Sequence, residues 1–238
     1  MNTRLQLLLL SSSRTAQGGF LEHLRDAVRD FFEGGARQAV FVPYAAVRYS
    51  HDEYTARVRA WFGQLGCTLG SLHESADPAR TLADADAIVV GGGNTFQLLR
   101  ELYRLDLIRP LRERAAAGIR YLGWSAGSNL VCPSICTTND MPVTWPPSCL
   151  ALGLVPFQIN PHYTDAHPPG HQGETRDERL EEFTLLNPDV PVVALREGSA
   201  LRVGDGQVRL LGEHSARILL GTRISEVAPD SLLTGIGT

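Results

Sequence analysis

The chain has little that would suit it to a nucleic acid or a membrane. Its 22 Lys and Arg are outnumbered by 26 Asp and Glu, so the net charge of −4 offers no basic surface to a phosphate backbone or an anionic bilayer. No apolar run approaches the roughly 20 residues that cross a bilayer. The Leu5–Leu10 run behind Arg4 is too short for a secretory segment and reads as a buried first strand. Cysteine is sparse. Cys67, Cys132, Cys136 and Cys149 form no C-x-x-C pair and read as reduced, mostly buried thiols of a cytoplasmic protein. There is no H-E-x-x-H, no G-x-G-x-x-G and no G-K-[ST], so the usual zinc-peptidase, dinucleotide and P-loop signatures are missing. Repeats, low-complexity tracts and linkers are missing too, which favours one domain over residues 1–238.

What is present is alternation. With 43% hydrophobic and 20% charged residues the chain has the composition of a globular protein with a sizeable core. Short apolar runs at 5–11, 39–44, 67–73, 87–92 and 120–125 predict strands. The segment FLEHLRDAVRDFF puts Phe20, Leu24, Val28 and Phe31 on one face, which predicts an amphipathic helix ended by Gly34-Gly35. HDEYTARVRAWFGQL and LLRELYRLDLIRPLRERAAAG read the same way. Wholly apolar strands separated by helices imply an α/β fold: a doubly wound, mostly parallel sheet with helices on both faces. The Pro-, Ser- and Thr-rich stretch 132–153 predicts an irregular excursion or a hairpin. Helix resumes at TRDERLEEFTLL. The strands that follow include a C-terminal β-hairpin turning at Asp205-Gly206.

Two glycine-rich turns carry the first chemical signal. YLGWSAGSNL contains GWSAG, Gly123 to Gly127, in the strand–turn–helix context of a nucleophile elbow. A structural turn with an incidental serine is the alternative. IVVGGGNTFQLL has the form strand, Gly91-Gly92-Gly93, helix. A phosphate loop is one reading; the other is an oxyanion loop, with the N–H of Gly92 or Gly93 joined by that of Ala126. Both turns fall at the carboxyl ends of strands, where doubly wound sheets bind ligands.

A serine needs a base. His23, His51 and His73 lie on or beside helix or strand surfaces, and His214 has no motif around it. His162, His167 and His171 crowd into INPHYTDAHPPGHQGETR, where Asp165 would complete a possible metal set. His162 directly follows the apolar LVPFQINP and is the best held for general-base work, whereas His167 and His171 read as loop residues. Thr175 and Glu178 form a T-x-x-E capping box that starts a helix at Arg176. That arginine opposes the helix dipole, while Asp177 and Glu178 obey it.

Taken together, VGGGNTFQLL, YLGWSAGSNL, TTNDMP, QINPHYT and GHQGETRDER resemble the peptidase E family of serine peptidases. These are α-aspartyl dipeptidases with a fold related to class I glutamine amidotransferases. The five motifs stand in the family's order and span nearly the whole chain. The resemblance implies Ser125 as nucleophile, His162 as base and Arg176 as the group that binds the substrate's aspartyl side chain. For the third triad member it offers Asp140, with Glu197 as the alternative. Arg196 stands where the family often has proline, and a cation there would occupy Glu197, which favours Asp140. Read without the family, Asn139-Asp140 is an ordinary turn pair.

The function so implied is an exopeptidase cleaving Asp-Xaa dipeptides through an acyl-enzyme, with no metal or organic cofactor. Its partners would be small peptides, not nucleic acid or membrane, and the chain would be a monomer or homodimer. A cyanophycinase-like hydrolase of the same fold and a non-catalytic amidotransferase-like binding module are the rival readings. A conventional α/β-hydrolase fits less well, because an HGGG-type loop is missing and the histidine comes early.

Overall fold

The computed structural model describes residues 4–16, 18–34, 38–167, 170 and 172–237. The five expected runs form parallel strands: β1 (Leu7–Leu10), β2 (Gln38–Val42), β3 (Thr68–Ser71), β4 (Ala87–Val90) and β5 (Arg120–Trp124), of which β3 alternates exposed and buried residues at the sheet edge. They belong to a seven-stranded sheet of order β3-β2-β4-β5-β1-β8-β9. Its last two members, β8 (Ala200–Gly204) and β9 (Gln207–Leu211), form the expected hairpin and join β1 antiparallel. Asp205 and Gly206 turn it with φ of 52° and 75°, the left-handed geometry that a two-residue hairpin turn requires.

Helices cover both faces, as the alternation predicts. On one side α1 (Arg25–Phe32) and α2 (His51–Gly63) pack Val28, Phe31, Val58 and Phe62 onto Leu8, Leu10, Phe41 and Val89. α1 is shorter than expected: Leu21 takes φ 57° and Glu22–Leu24 is a 3-10 turn, so the regular helix starts at Arg25. Gly34 follows it at φ 82°, and Gly35 lies outside the described residues. The other side holds α3 (Pro78–Asp84), α4 (Thr95–Arg104) and α5 (Ile108–Ala116), which bury Leu82, Leu98, Leu102 and Leu111 against Leu7, Val40, Ile88 and Tyr121. α4 and α5 fall within one expected helical segment. The chain breaks at Asp106 (φ 54°) and restarts so that Pro110 falls in the first turn, where its missing N–H costs nothing.

A second sheet was not foreseen. It has four strands in the order β11-β10-β7-β6: β6 (Gln158–Tyr163), β7 (Val192–Arg196), β10 (Ala216–Leu220) and β11 (Arg223–Val227). Alternation along β7 explains its place. Val193 and Leu195 face the main core, while Val192 and Ala194 face Leu180 of α7 (Arg176–Leu186). The stretch between the short helix α6 (Ala126–Asn129) and β6 is irregular, with one antiparallel bridge, Ser134 to Leu150. That excursion also corrects the expectation for the thiols. Cys132 is buried and Cys67 half-buried, but Cys136 and Cys149 are exposed on the excursion. Among the described residues no helix is long and apolar enough to cross a membrane.

Register puts the functional turns side by side. Leu10 pairs with Trp124, and Val90 with Gly123, so β1, β4 and β5 end together. The closeness is demanding: a Cβ on Gly127 would press into the Val90 carbonyl, and one on Gly123 would meet the Gly127 carbonyl oxygen at 2.5 Å. Gly127→Ala is therefore expected to destabilise the fold by ~1–3 kcal/mol or more, read as a lower urea midpoint.

Candidate functional site

Ser125 sits where β5 gives way to α6, with φ 52° and ψ −111°, a conformation that costs a non-glycine residue energy and is met at nucleophile elbows. Several bonds hold it there. Its N–H donates to the Leu10 carbonyl (3.0 Å), and its own carbonyl accepts from the N–H groups of Ser128 and Asn129 (2.9 and 3.0 Å). The Ser128 hydroxyl also donates to Leu10 (2.8 Å), and Tyr121 donates to the Gly127 carbonyl (2.7 Å).

The glycine loop lies directly over this turn. A Cβ on Gly92 would be 3.1 Å from the Ser125 Cβ, and Gly93 has φ 142° with Ala45 packed against it, so both positions require glycine. Tyr54 donates to the Gly92 carbonyl (3.0 Å) and accepts from Trp124 Nε1 (3.0 Å). A trans peptide sets C=O and N–H on opposite sides, so fixing the Gly92 carbonyl also fixes the Gly93 N–H. Neither that N–H nor the N–H of Ala126, the first helical residue of α6, finds a partner among the described residues.

His162 does not simply follow its strand. It stands in a bulge of β6, where the register against β7 slips between Asn160 and Tyr163. Pro161 cannot continue the ladder, and His162 itself takes φ 54°. Its Nε2 is 2.9 Å from Ser125 Oγ and its Nδ1 is 2.7 Å from Glu197 Oε1. The backbone of the bulge is held from outside the strand. The His162 N–H donates to Ser11 Oγ (2.8 Å), and that buried hydroxyl donates to the Leu195 carbonyl (2.7 Å). Asn139 Nδ2 reaches the Pro161 carbonyl (2.6 Å), and Asn129 Nδ2 the Ile159 carbonyl (2.7 Å).

The preference for Asp140 over Glu197 does not match this geometry. Asp140 Oδ2 accepts from the Thr95 N–H (2.7 Å), Thr95 Oγ1 (2.6 Å) and Thr138 Oγ1 (3.2 Å). It is bound to the first turn of α4, where a carboxylate complements the helix dipole. The objection to Glu197 also falls. Neighbouring residues at a strand end point to opposite sides, and Arg196 turns away to Glu226 (2.7 Å) and Asp165 (3.0 Å), leaving Glu197 for the imidazole. Asp165 also receives Arg217 at 3.6 Å, so it is already committed to cations rather than to a metal set with His162. His167 is exposed beside the start of α7, and His171 lies outside the described residues.

Two histidines outside the sequence motifs border the site. His23 is enclosed near Glu197, where burial lowers its pKa and the carboxylate's charge partly opposes the shift. His214 lines a cavity of about 420 Å3 together with His162, Glu197 and Arg196. Neither has a local pattern that would reveal it, because the contacts come from distant segments.

Arg176 opens α7 behind the expected capping box: Glu178 N–H donates to Thr175 Oγ1 (3.2 Å), and Thr175 N–H to Glu178 Oε2 (2.6 Å). Its guanidinium borders a cavity of about 230 Å3 with Asn139, Asp140, Asn160 and Arg179. Arg179 pairs loosely with Glu174 (3.5 Å), but no carboxylate of the described residues pairs with Arg176. Burial lowers the Arg176 pKa, and repulsion from Arg179 adds to the shift. A half-buried cation without a counter-ion favours an incoming anion.

Substitutions at Glu197, Asp140 and Ser11 test this geometry. Glu197→Gln should lower kcat by ~10^4-fold in a steady-state peptidase assay, whereas Asp140→Asn should mainly lower the unfolding midpoint by loosening the excursion from α4. Ser11→Ala leaves the His162 N–H without its acceptor, at about 1–3 kcal/mol. It should reduce kcat with little change in KM, and Ser11→Thr should restore part of the loss.

Comparison with known proteins gives the chemistry a family. The sequence profile of peptidase family S51 matches residues 7–211. The Peptidase E of Shewanella amazonensis is 51% identical over 223 residues, which cover 93% of each chain. That of Streptomyces coelicolor is also 51% identical, over 232 residues, covering 97% of this chain and 94% of its own. A crystal structure of a peptidase from an acI-B1 Actinobacterium superposes with a TM-score of 0.72 at 18% identity over 98% of both chains, which shows the shared fold. With an S51 match over most of its length and relatives at half identity, the chain belongs to peptidase family S51 and is a peptidase.

Proposed function

We propose that this peptidase is a serine exopeptidase that hydrolyses dipeptides with an N-terminal aspartate. The observation that carries the reading is the continuous relay from Ser125 Oγ to His162 Nε2 (2.9 Å) and from His162 Nδ1 to Glu197 (2.7 Å), together with a cavity whose Arg176 pairs with no carboxylate of the described residues.

The chemistry follows from the pieces. A serine hydroxyl is a weak nucleophile until an imidazole takes its proton. Ser125 Oγ attacks the carbonyl carbon of the aspartyl residue as its proton passes to His162 Nε2. Glu197, accepting from Nδ1, fixes the tautomer and stabilises the imidazolium. The oxyanion is met by the N–H groups of Gly93 and Ala126; the Gly92 N–H is a further candidate donor. Collapse breaks the C–N bond, His162 returns the proton to the departing amine, and the acyl group stays on Ser125. Water then attacks the ester with His162 again as base, releasing aspartate and free Ser125. Arg176 binds the aspartyl side-chain carboxylate, a match of planar fork to planar acid.

Ser125→Ala is expected to abolish release of leucine from Asp-Leu with the circular dichroism spectrum unchanged; continued turnover would exclude Ser125 as nucleophile. Arg176→Ala should lower kcat/KM for Asp-Leu by more than about 100-fold and erase the preference for Asp-Leu over Leu-Leu. An intact preference would remove Arg176 from substrate selection.

A further inference from the structure

A second cavity, of about 350 Å3, is lined by Gly93 and shares no lining residue with the cavity at Arg176. Its lining is largely apolar: Val47, Tyr49 and Val143, together with Gly93, Asn94 and Arg48. These apolar side chains are left in water, Val47 at 58%, Tyr49 at 37% and Val143 at 59% exposure. Single exposed apolar residues mean little, but three converging on one concavity beside a reactive serine suit an apolar ligand group.

The cavity is built rather than incidental. Asn94 ties both of its walls to the oxyanion loop: its N–H donates to the Ala45 carbonyl (2.8 Å), and its Nδ2 to the Met141 carbonyl (2.8 Å). Its Oδ1 meanwhile caps α4 through Gln97 N–H (3.0 Å). Tyr49 is braced by the Tyr54 ring, at 5.0 Å between centroids, and by Arg57 over its face at 4.9 Å. Tyr54 is the same residue that orients the Gly92–Gly93 peptide. The excursion at Asp140–Val143 partitions the two cavities, with Asp140 and Met141 lining the cationic one and Val143 the apolar one.

We propose that the apolar cavity receives the side chain of the residue released by cleavage, and that Arg48 binds that residue's free carboxylate. The inference rests on the aspartyl-dipeptidase reading and names the second half of its substrate. With the aspartyl carboxylate at Arg176 and the carbonyl at Gly93, the chain beyond the scissile bond enters the apolar side of the partition. No carboxylate of the described residues occupies Arg48, so the cation is open to a terminal carboxylate. A substrate held at both ends by arginines is restricted in length to two residues. The dipeptide limit then comes from charge rather than from a closed wall.

The test compares kcat/KM for Asp-Leu and Asp-Gly in the wild-type chain and in Val143→Asp and Val47→Asp, two exposed positions whose substitution leaves the core untouched. The wild type should prefer Asp-Leu by at least ~10-fold, and either substitution should collapse that ratio by a similar factor. Arg48→Ala should raise KM for Asp-Leu but not for Asp-Leu amide, which has no terminal carboxylate. An unchanged Leu/Gly ratio in both Asp variants would overturn the apolar subsite. Equal effects of Arg48→Ala on the acid and the amide would overturn the carboxylate contact. If the variants instead change the sedimentation coefficient while the ratio stays fixed, the cavity is an interface between copies and the proposal fails. Failure of the aspartyl reading is distinct: wild-type protein would turn over neither dipeptide.

Discussion

The site depends on the C-terminal end of the first strand. Leu10 and Ser11 are consecutive, yet between them they hold all three members of the relay. The Leu10 carbonyl accepts the Ser125 N–H, Ser11 Oγ accepts the His162 N–H, and the Ser11 N–H donates to the Ser199 carbonyl in the turn that carries Glu197. Ser125 and His162 both sit at positive φ, so their conformations are disfavoured locally and persist because this strand end over-determines them. β1 is an interior strand of the large sheet, paired on both sides and wholly buried, and three separate segments are fastened to its end.

The same economy governs charge. Carboxylates around the site are already engaged: Asp140 at the start of α4, Asp177 with Arg217 (2.5 Å), and Asp165 with Arg196. Glu197 is the one that reaches the imidazole. On the binding side the imbalance is reversed. Arg176 and Arg48 each border a cavity, and among the described residues no carboxylate pairs with either, so both cavities carry fixed positive charge. Arg48 is exposed, whereas the half-buried charge of Arg176 is costly alone and becomes favourable when a matching ion arrives.

Much of this was legible in one dimension. The apolar runs gave the parallel strands, and the glycines around Ser125 gave the elbow, because strand burial and a tight turn depend on residues within a few positions. The T-x-x-E pattern located the start of α7 for the same reason. The break at Asp106 was missed because α4 and α5 each continue the same apolar periodicity across it. The four-stranded second sheet was missed because its strands come from residues 158 to 227, interleaved with the hairpin that joins the other sheet.

What the sequence by itself determined is the set of candidate residues: a serine in an elbow, a histidine after an apolar strand, and glycines beside them. What only the tertiary structure decided is which carboxylate lies against the imidazole. Asp140 and Glu197 were both available, and Arg196 looked like a competitor for Glu197. The choice turns on the side to which each residue points at the end of β7, and on the excursion docking Asp140 onto the α4 N-terminus. Those are contacts between segments 35 to 45 residues apart, beyond the reach of any local pattern.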